Sequence, residues 1–391
     1  MKTAAIICEY NPFHAGHARL FAFARANGAD RIVCVMSGNF TQRGEPAVAD
    51  KYVRAAAALR AGADLVVELP MPYSASGAEF FATAGVCIAD RMGVSELYFG
   101  SENGDISALS KVARNMLDTR FAAASHDKSG GYAKSASEIY ESLFGKNEVA
   151  SSPNNILALE YIKAIMRLGS TVMPVTLARE DNFSSEDADC DFPSAAALRK
   201  LITSGDFPAA AKYMGEKAAL EYEKAARDDR FPVRTEKYYD YLHFFFRAAD
   251  PKVLSAFHGA DGGLAEYIVS RANEAPDTAA FLSSLPTKKY TNARIRRTLV
   301  SAFLGVTNAD VRRFPAYSLL LAANRAGREV LAHLRGREDF YVATKEADIR
   351  DDAFSARERE ISDKADALYT LLMPKKRGAA FFKKMPPTIV D

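Results

Sequence analysis

Brief apolar runs rich in Val and Ile recur through the first hundred residues, each bounded by polar or turn residues: AAIICEY (4–10), RIVCVMS (31–37), DLVVELP (64–70) and ELYFGSE (96–102). Their length and β-branched content predict buried strands. Between them, HARLFAFARANG, KYVRAAAALRAG and GAEFFATAGVCIADRMG have helical composition, and the first two close on Gly28 and Gly62, residues suited to helix C-caps. Such alternation predicts an α/β fold, with parallel strands joined by right-handed crossovers and helices on both faces. TVMPVTL (171–177) adds a fifth strand after the helical NNILALEYIKAIMRL. From Phe231 onward the texture becomes helical, in TEKYYDYLHFFFRAA, GGLAEYIVSRANEA, TNARIRRTLVSAFLG and AYSLLLAANRAGREVLAHLRG, with only DFYVAT resembling a strand. The expected organisation is an α/β domain over residues 1–230 and a mainly α-helical C-terminal domain over 231–391.

With 391 residues, 48% hydrophobic and 26% charged, the chain has the composition of a water-soluble protein of two domains. Glu9 and Asn11 cut the N-terminal apolar run short of a signal sequence, and no window approaches the roughly 18 apolar residues of a membrane helix, so a cytoplasmic protein is expected. The four cysteines form no CxxC pair, which argues against zinc or a disulfide framework. The net charge of +2 hides an asymmetry: Pro286 to Arg337 holds eleven Lys or Arg against Asp310 and Glu329, while the remainder carries 40 basic and 47 acidic residues. That segment reads as a local cationic surface.

Two of only six histidines, His14 and His17, flank a glycine directly after the first strand, in ICEYNPFHAGHARL. In a parallel α/β sheet, ligands sit beyond the carboxyl ends of the strands, facing helix N-termini. Gly16 lets a phosphate approach bare backbone there, His17 falls in the first helical turn, and Asn11 and Pro12 suit the helix entrance. Two imidazoles donating to a phosphoryl group as charge builds on it suit attack on the α-phosphate of a nucleotide. Surface helix residues or a metal pair are the competing readings, and the metal reading has no third ligand motif to complete it.

EYNPFHAGH, followed by MSGNFTQRGEPAVADKYVRAAAALRAGADLVVELP and FGSE, resembles the tRNA(Met) cytidine acetate ligase family of the HxGH nucleotidyltransferase superfamily. The resemblance continues through SPNNILALEYIK (152–163), FPSAAALRK (192–200) and TKKYTNARIRR (287–297). It implies a Rossmann-like HxGH nucleotidyltransferase domain that uses ATP to activate acetate as acetyl-adenylate. It also implies transfer of the acetyl group to N4 of the wobble cytidine of elongator tRNA(Met); ATP chemistry in turn leads one to expect Mg²⁺ with the nucleotide, held mostly by the phosphates for want of a carboxylate cluster. Carried over residue by residue, the ATP site comprises Ile7, Cys8, Glu9, Tyr10, Asn11, Pro12, Phe13, His14, Ala15, Gly16, His17, Ala18, Arg19 and Leu20, with Gly100, Asn154, Arg179 and Glu180. His14 and His17 are its catalytic pair. Gly100 equally suits an ordinary strand-to-loop glycine, and Asn154 a simple helix N-cap. FPSAAALRK resembles the superfamily's second phosphate signature, in which Ser194 caps a helix and Arg199 reaches the departing phosphates, although Ala196 stands where a threonine is expected.

The polar loop after the second strand offers Ser37, Asn39, Gln42 and Arg43 to acetate or nucleotide. Lys51 and Arg54 follow it, either as phosphate or tRNA contacts or as a solvated basic helix face. In TKKYTNARIRR, Lys288, Lys289, Arg294, Arg296 and Arg297 make five cations in ten positions, with Thr291 as the expected N-cap. Their density favours an RNA-backbone surface over a solvated helix. A small-molecule nucleotidyltransferase would share the histidine chemistry but give this segment no role, and a non-catalytic RNA-binding protein would leave the histidines idle.

Overall fold

A computed structural model describes residues 1–102, 104–125, 132–152, 155–178, 193–334 and 337–391. Strands β1 (Thr3–Cys8), β2 (Arg31–Ser37), β3 (Leu65–Leu69), β4 (Glu96–Ser101) and β5 (Met173–Ala178) occupy the predicted runs. They pair in parallel in the order β5-β4-β1-β2-β3, with Ile6 opposite Cys34 and Val35 opposite Val67. Alternation along the strands divides their side chains between two cores. Ala5, Ile7, Val33, Val35, Leu65 and Val67 pack on one face, against helix α3 (Ala78–Arg91) and the helix Ile156–Leu168. Ile6, Cys34, Met36 and Val66 pack on the other, against helices α1 (Ala15–Ala26) and α2 (Lys51–Arg60) and the helix Glu216–Arg227. Burial of both faces explains why these strands read as continuous apolar runs.

Residues 231–391 are mainly helical, with helices Thr235–Ala248, Leu264–Glu274, Asn292–Leu304 and Ala353–Leu372, yet they also complete the sheet. AYSLLLAANRAGREVLAHLRG, expected as one helix, divides at Asn324. Before it β6 (Tyr317–Ala323) runs antiparallel to β3, and after it the helix Arg325–Ala332 begins. Asn324 makes the division physically: its Oδ1 accepts the Gly327 N–H at 2.9 Å as an N-cap, and its Nδ2 donates to Asp64 Oδ1 at 2.9 Å. The leucine run suits either element, and the open edge of β3 decides in favour of a strand. β7 (Tyr341–Ala343) matches the expected DFYVAT strand, and the short β8 (Thr388–Ile389) pairs with β6. The core that holds Ile6 and Met36 also holds Leu299, Tyr369 and Phe382. Among the described residues no helix is long and apolar enough to cross a membrane.

Candidate active site

His14 is the N-cap of α1, in extended backbone, and its Nδ1 accepts the Gly16 N–H at 3.1 Å. His17 reciprocates from the first turn: its Nδ1 accepts the His14 N–H at 3.2 Å. The imidazoles lie with centroids 3.8 Å apart, backed by Tyr10 and Phe13. Because each Nδ1 is occupied as an acceptor, each neutral ring carries its proton on Nε2, and both present an Nε2–H donor. Burial, with a further contribution from Arg199, pushes His14 down to about 4, so this donor is neutral at physiological pH. The N–H of Ala15 donates to the Tyr213 carbonyl at 2.8 Å and that of His17 to the His14 carbonyl at 2.9 Å. The N–H groups of Ala15, Gly16 and His17 are thus all engaged, and Gly16 does not offer the free N–H that its sequence position suggests. At this end of α1 the imidazoles, not the backbone N–H groups, are the groups left to meet an anion.

Of the remaining ATP-segment residues, Ile7, Cys8, Pro12 and Phe13 are buried, and the Phe13 N–H donates to the Tyr222 hydroxyl at 2.9 Å. They support the site from inside the core. Ala18, Arg19 and Leu20 line the half-buried flank of α1.

Glu9 follows β1, and its Oε1 accepts the Gln42 N–H at 2.5 Å. Burial raises its pKa, against the pull of that N–H and of Arg54, Arg43 and Arg199. Arg199 comes from the helix Ala195–Thr203, whose N-cap Ser194 accepts the Ala197 N–H at 3.2 Å. It donates to the Asn11 carbonyl at 2.7 Å, and burial followed by the nearby charge of Arg43 lowers its pKa. Arg43 itself is exposed. The predicted second phosphate signature is therefore joined to the histidine loop, with Arg199 and Arg43 flanking one carboxylate. Gly100 lies in β4 opposite Leu177 of β5. Asn154, Arg179 and Glu180 lie outside the described residues. The neighbouring Asn155 is buried, and its Oδ1 accepts the Glu102 N–H at 3.0 Å just after β4.

Lys51 and Arg54 depart from the expected exposed or substrate-contacting positions. Arg54 is fully buried and donates to the carbonyls of Ala49 at 2.8 Å, Glu9 at 2.6 Å and Ser37 at 3.2 Å, and to that of Gly38. It clamps the ends of β1 and β2 from beneath. Lys51 Nζ sits between Glu68, at 2.9 Å, and Asp366 of the C-terminal helix, at 2.8 Å. Burial opposes its charge, but Asp366 and Glu68 outweigh that cost and hold the ammonium well above its ordinary range. Asn39 joins the same network, donating to Asp366 Oδ1 at 2.8 Å and accepting the Lys51 N–H at 2.8 Å. The physical reason is the packing of α2 into the core: its N-terminal cations have no path to water and take internal partners. Ser37 is completely buried and its Oγ has no partner among the described residues. Glu68 and Asp366 were not singled out in sequence. A glutamate inside the apolar run DLVVELP is a signal for the first; the second has none.

The basic segment lies against this loop. Gly44 has φ +77°, and a Cβ there would sit 2.6 Å from the Arg296 carbonyl carbon, so the loop packs directly on the backbone of the helix Asn292–Leu304. Arg296 pairs with Glu45 at 2.9 Å, and Arg297 Nη1 lies 3.5 Å from the Gln42 carbonyl. Burial, then the charge of Arg294, pushes Arg297 down to about 10. Arg294 pairs with Asp261, while Lys289 donates to the Gly262 carbonyl at 2.8 Å. Lys288 is exposed. Thr291 is the N-cap as expected.

Residues 1–381 match the family described as HIGH Nucleotidyl Transferase. The chain is 32% identical over 373 residues to a tRNA(Met) cytidine acetate ligase of Acetivibrio thermocellus, covering 89% of each protein. It is 34% identical over 343 residues to one from Listeria monocytogenes, covering 85% of this chain and 86% of that protein. Its fold is similar to that of Thermotoga maritima TmcAL bound with α-thio ATP, with a TM-score of 0.91, 28% identity and 100% of both chains covered.

Proposed function

The chain belongs to the HIGH nucleotidyl transferase family and, within it, to the tRNA(Met) cytidine acetate ligases, and from that premise we propose that it acetylates N4 of the wobble cytidine of elongator tRNA(Met) with acetate and ATP. Acetate is a poor acyl donor, and the cytosine amine is a weak nucleophile because its lone pair is delocalised into the ring. A mixed anhydride with AMP answers both difficulties. An acetate oxygen attacks the α-phosphorus, the bond to the β-phosphate oxygen breaks, and pyrophosphate leaves. N4 then attacks the acetyl carbon, AMP departs, and one proton is released.

The observation that carries this reading is the paired imidazoles beyond β1, each held through Nδ1 so that its other nitrogen is turned away from the helix cap, with His14 neutral. In the proposed mechanism they donate to the α-phosphoryl oxygens as negative charge concentrates there, a contribution of roughly 3 to 4 kcal/mol for one such donor. Arg199 and Arg43 offset the repulsion between acetate and triphosphate and hold the departing pyrophosphate. Arg54 keeps the β1 and β2 termini in register beneath the nucleotide. Among the described residues no group of three or more His, Cys, Asp or Glu side chains converges to hold a metal. The described residues therefore supply no ready-made cage for a resident ion, and Mg²⁺ would accompany ATP, held largely by the phosphate oxygens.

The test is incubation with ATP, labelled acetate and bulk bacterial tRNA, followed by nucleoside analysis. Label in N4-acetylcytidine, lost on omission of ATP or on His17→Ala, is the expected result. No label together with no acetate-dependent pyrophosphate release would overturn the reading in favour of a nucleotidyltransferase for a small metabolite.

A further inference from the structure

Much of the cationic charge that the sequence offers to RNA is engaged internally, by Asp261, Glu45 and the Gly262 carbonyl. Less engaged charge lies further along the same basic segment, before β6. Arg312 and Arg313 are exposed and take part in no ion pair among the described residues, and Phe314 beside them is 44% exposed. The Arg313 guanidinium lies over the Phe354 ring at 5.3 Å, and that of Arg350 over the Tyr341 ring at 4.3 Å. Arg350 is fixed there by donating to the Glu338 carbonyl at 2.7 Å. Arg313, Phe314, Tyr341, Arg350 and Phe354 line a cleft of ≈ 530 Å³, with Arg312 next to Arg313 in the chain. Two of its carboxylates are already committed: Asp352 caps the C-terminal helix through the N–H groups of Phe354 and Ser355, and Asp339 pairs with Arg337 at 3.1 Å.

We propose that this cleft is a second RNA-contact site, which takes unpaired nucleotides of the tRNA away from the reacting cytidine. The inference rests on the tRNA reading above. A guanidinium held over an aromatic ring can share that surface with a nucleobase, an exposed phenylalanine offers a second stacking surface, and unpaired arginines at the rim attract phosphates. A protein partner would need an apolar or charge-matched face, whereas planar cations alternating with aromatic rings match the alternation of base and phosphate in an unpaired strand.

Phe314→Ala and Arg313→Glu are surface changes, and each is measured for tRNA binding at several salt concentrations and for acetate-dependent pyrophosphate exchange. The double variant should bind tRNA about tenfold or more weakly, and Arg313→Glu should reduce the salt slope by about one. Phe314→Ala alone should weaken binding with the slope kept. Pyrophosphate exchange should be unchanged, showing an intact ATP site and fold. If the wild type acetylates tRNA and the double variant binds tRNA equally tightly, the inference falls and the cleft serves another anionic ligand or a protein. If the wild type neither binds nor acetylates tRNA, the tRNA reading falls and takes the cleft with it.

Discussion

At the scale of single residues, His14 is a helix cap through one nitrogen and, in the proposed mechanism, a phosphoryl donor through the other. Nδ1 caps α1 through the Gly16 N–H, and Nε2–H remains for chemistry. His14→Asn keeps a cap acceptor and deletes the distal donor, so acetate-dependent pyrophosphate exchange should fall by about 10²- to 10³-fold with little loss of stability at neutral pH. The pH dependence has a definite sign. His14 titrates at about 4 in the folded chain against an ordinary 6.5, so between these values the unfolded chain binds more protons. The fold therefore loses roughly 3 kcal/mol as pH falls through that window, and none of it above pH 6.5. Urea denaturation from pH 7 to pH 4 should show the wild type losing more stability than His14→Asn. Parallel pH curves would refute the buried, neutral imidazole.

At the scale of elements, α2 is fastened by charge inside the core. Lys51 lies between Glu68 of β3 and Asp366 of the C-terminal helix; Lys51 and Glu68 are buried, and Asp366 is partly buried. Lys51→Met leaves two carboxylates without their cation and should cost about 3 to 5 kcal/mol. Adding Glu68→Gln and Asp366→Asn removes the stranded charge and should recover most of that loss. Equilibrium denaturation of the single and triple variants measures both, and a triple variant no more stable than Lys51→Met would show that the carboxylates contribute nothing through this pair of contacts. Asn39, bonded to Asp366, makes the same network a tie between the active-site loop and the C-terminal helix.

At the scale of the whole molecule, the basic helix and the proposed nucleotide site share the loop that carries Gln42 and Gly44. Arg296 and Arg297 meet that loop at Glu45 and at the Gln42 carbonyl, while Lys288 and Lys289 lie exposed before the helix, Lys289 with its ammonium on the Gly262 carbonyl. Neutralising the two lysines should weaken tRNA binding and reduce its salt slope by about two, with pyrophosphate exchange unchanged. Neutralising Arg296 and Arg297 should also slow exchange, because the loop that presents the Gln42 N–H to Glu9 loses its support. Equal exchange rates in the two variants would separate the basic helix from the ATP step.

Local pattern was sufficient for much of this protein. The five parallel strands announce themselves because both of their faces are buried, and the histidine pair stands out because its spacing falls at a strand-to-helix junction, where chain geometry alone sets its place. The partners of buried charge were not legible in the same way. Nothing near Lys51 in sequence indicates Asp366, 315 positions away, and nothing in KYVRAAAALR says whether Arg54 meets water or four carbonyls. β6 was hidden for a related reason: a leucine run takes the form of whatever edge or groove receives it. The sequence by itself determined the five parallel strands, the histidine pair at the first strand-to-helix junction and the sign of the local charge, since these depend on near neighbours. Only the tertiary structure decided which cations are engaged inside and which face outward, because desolvation and ion pairing depend on what the fold brings together.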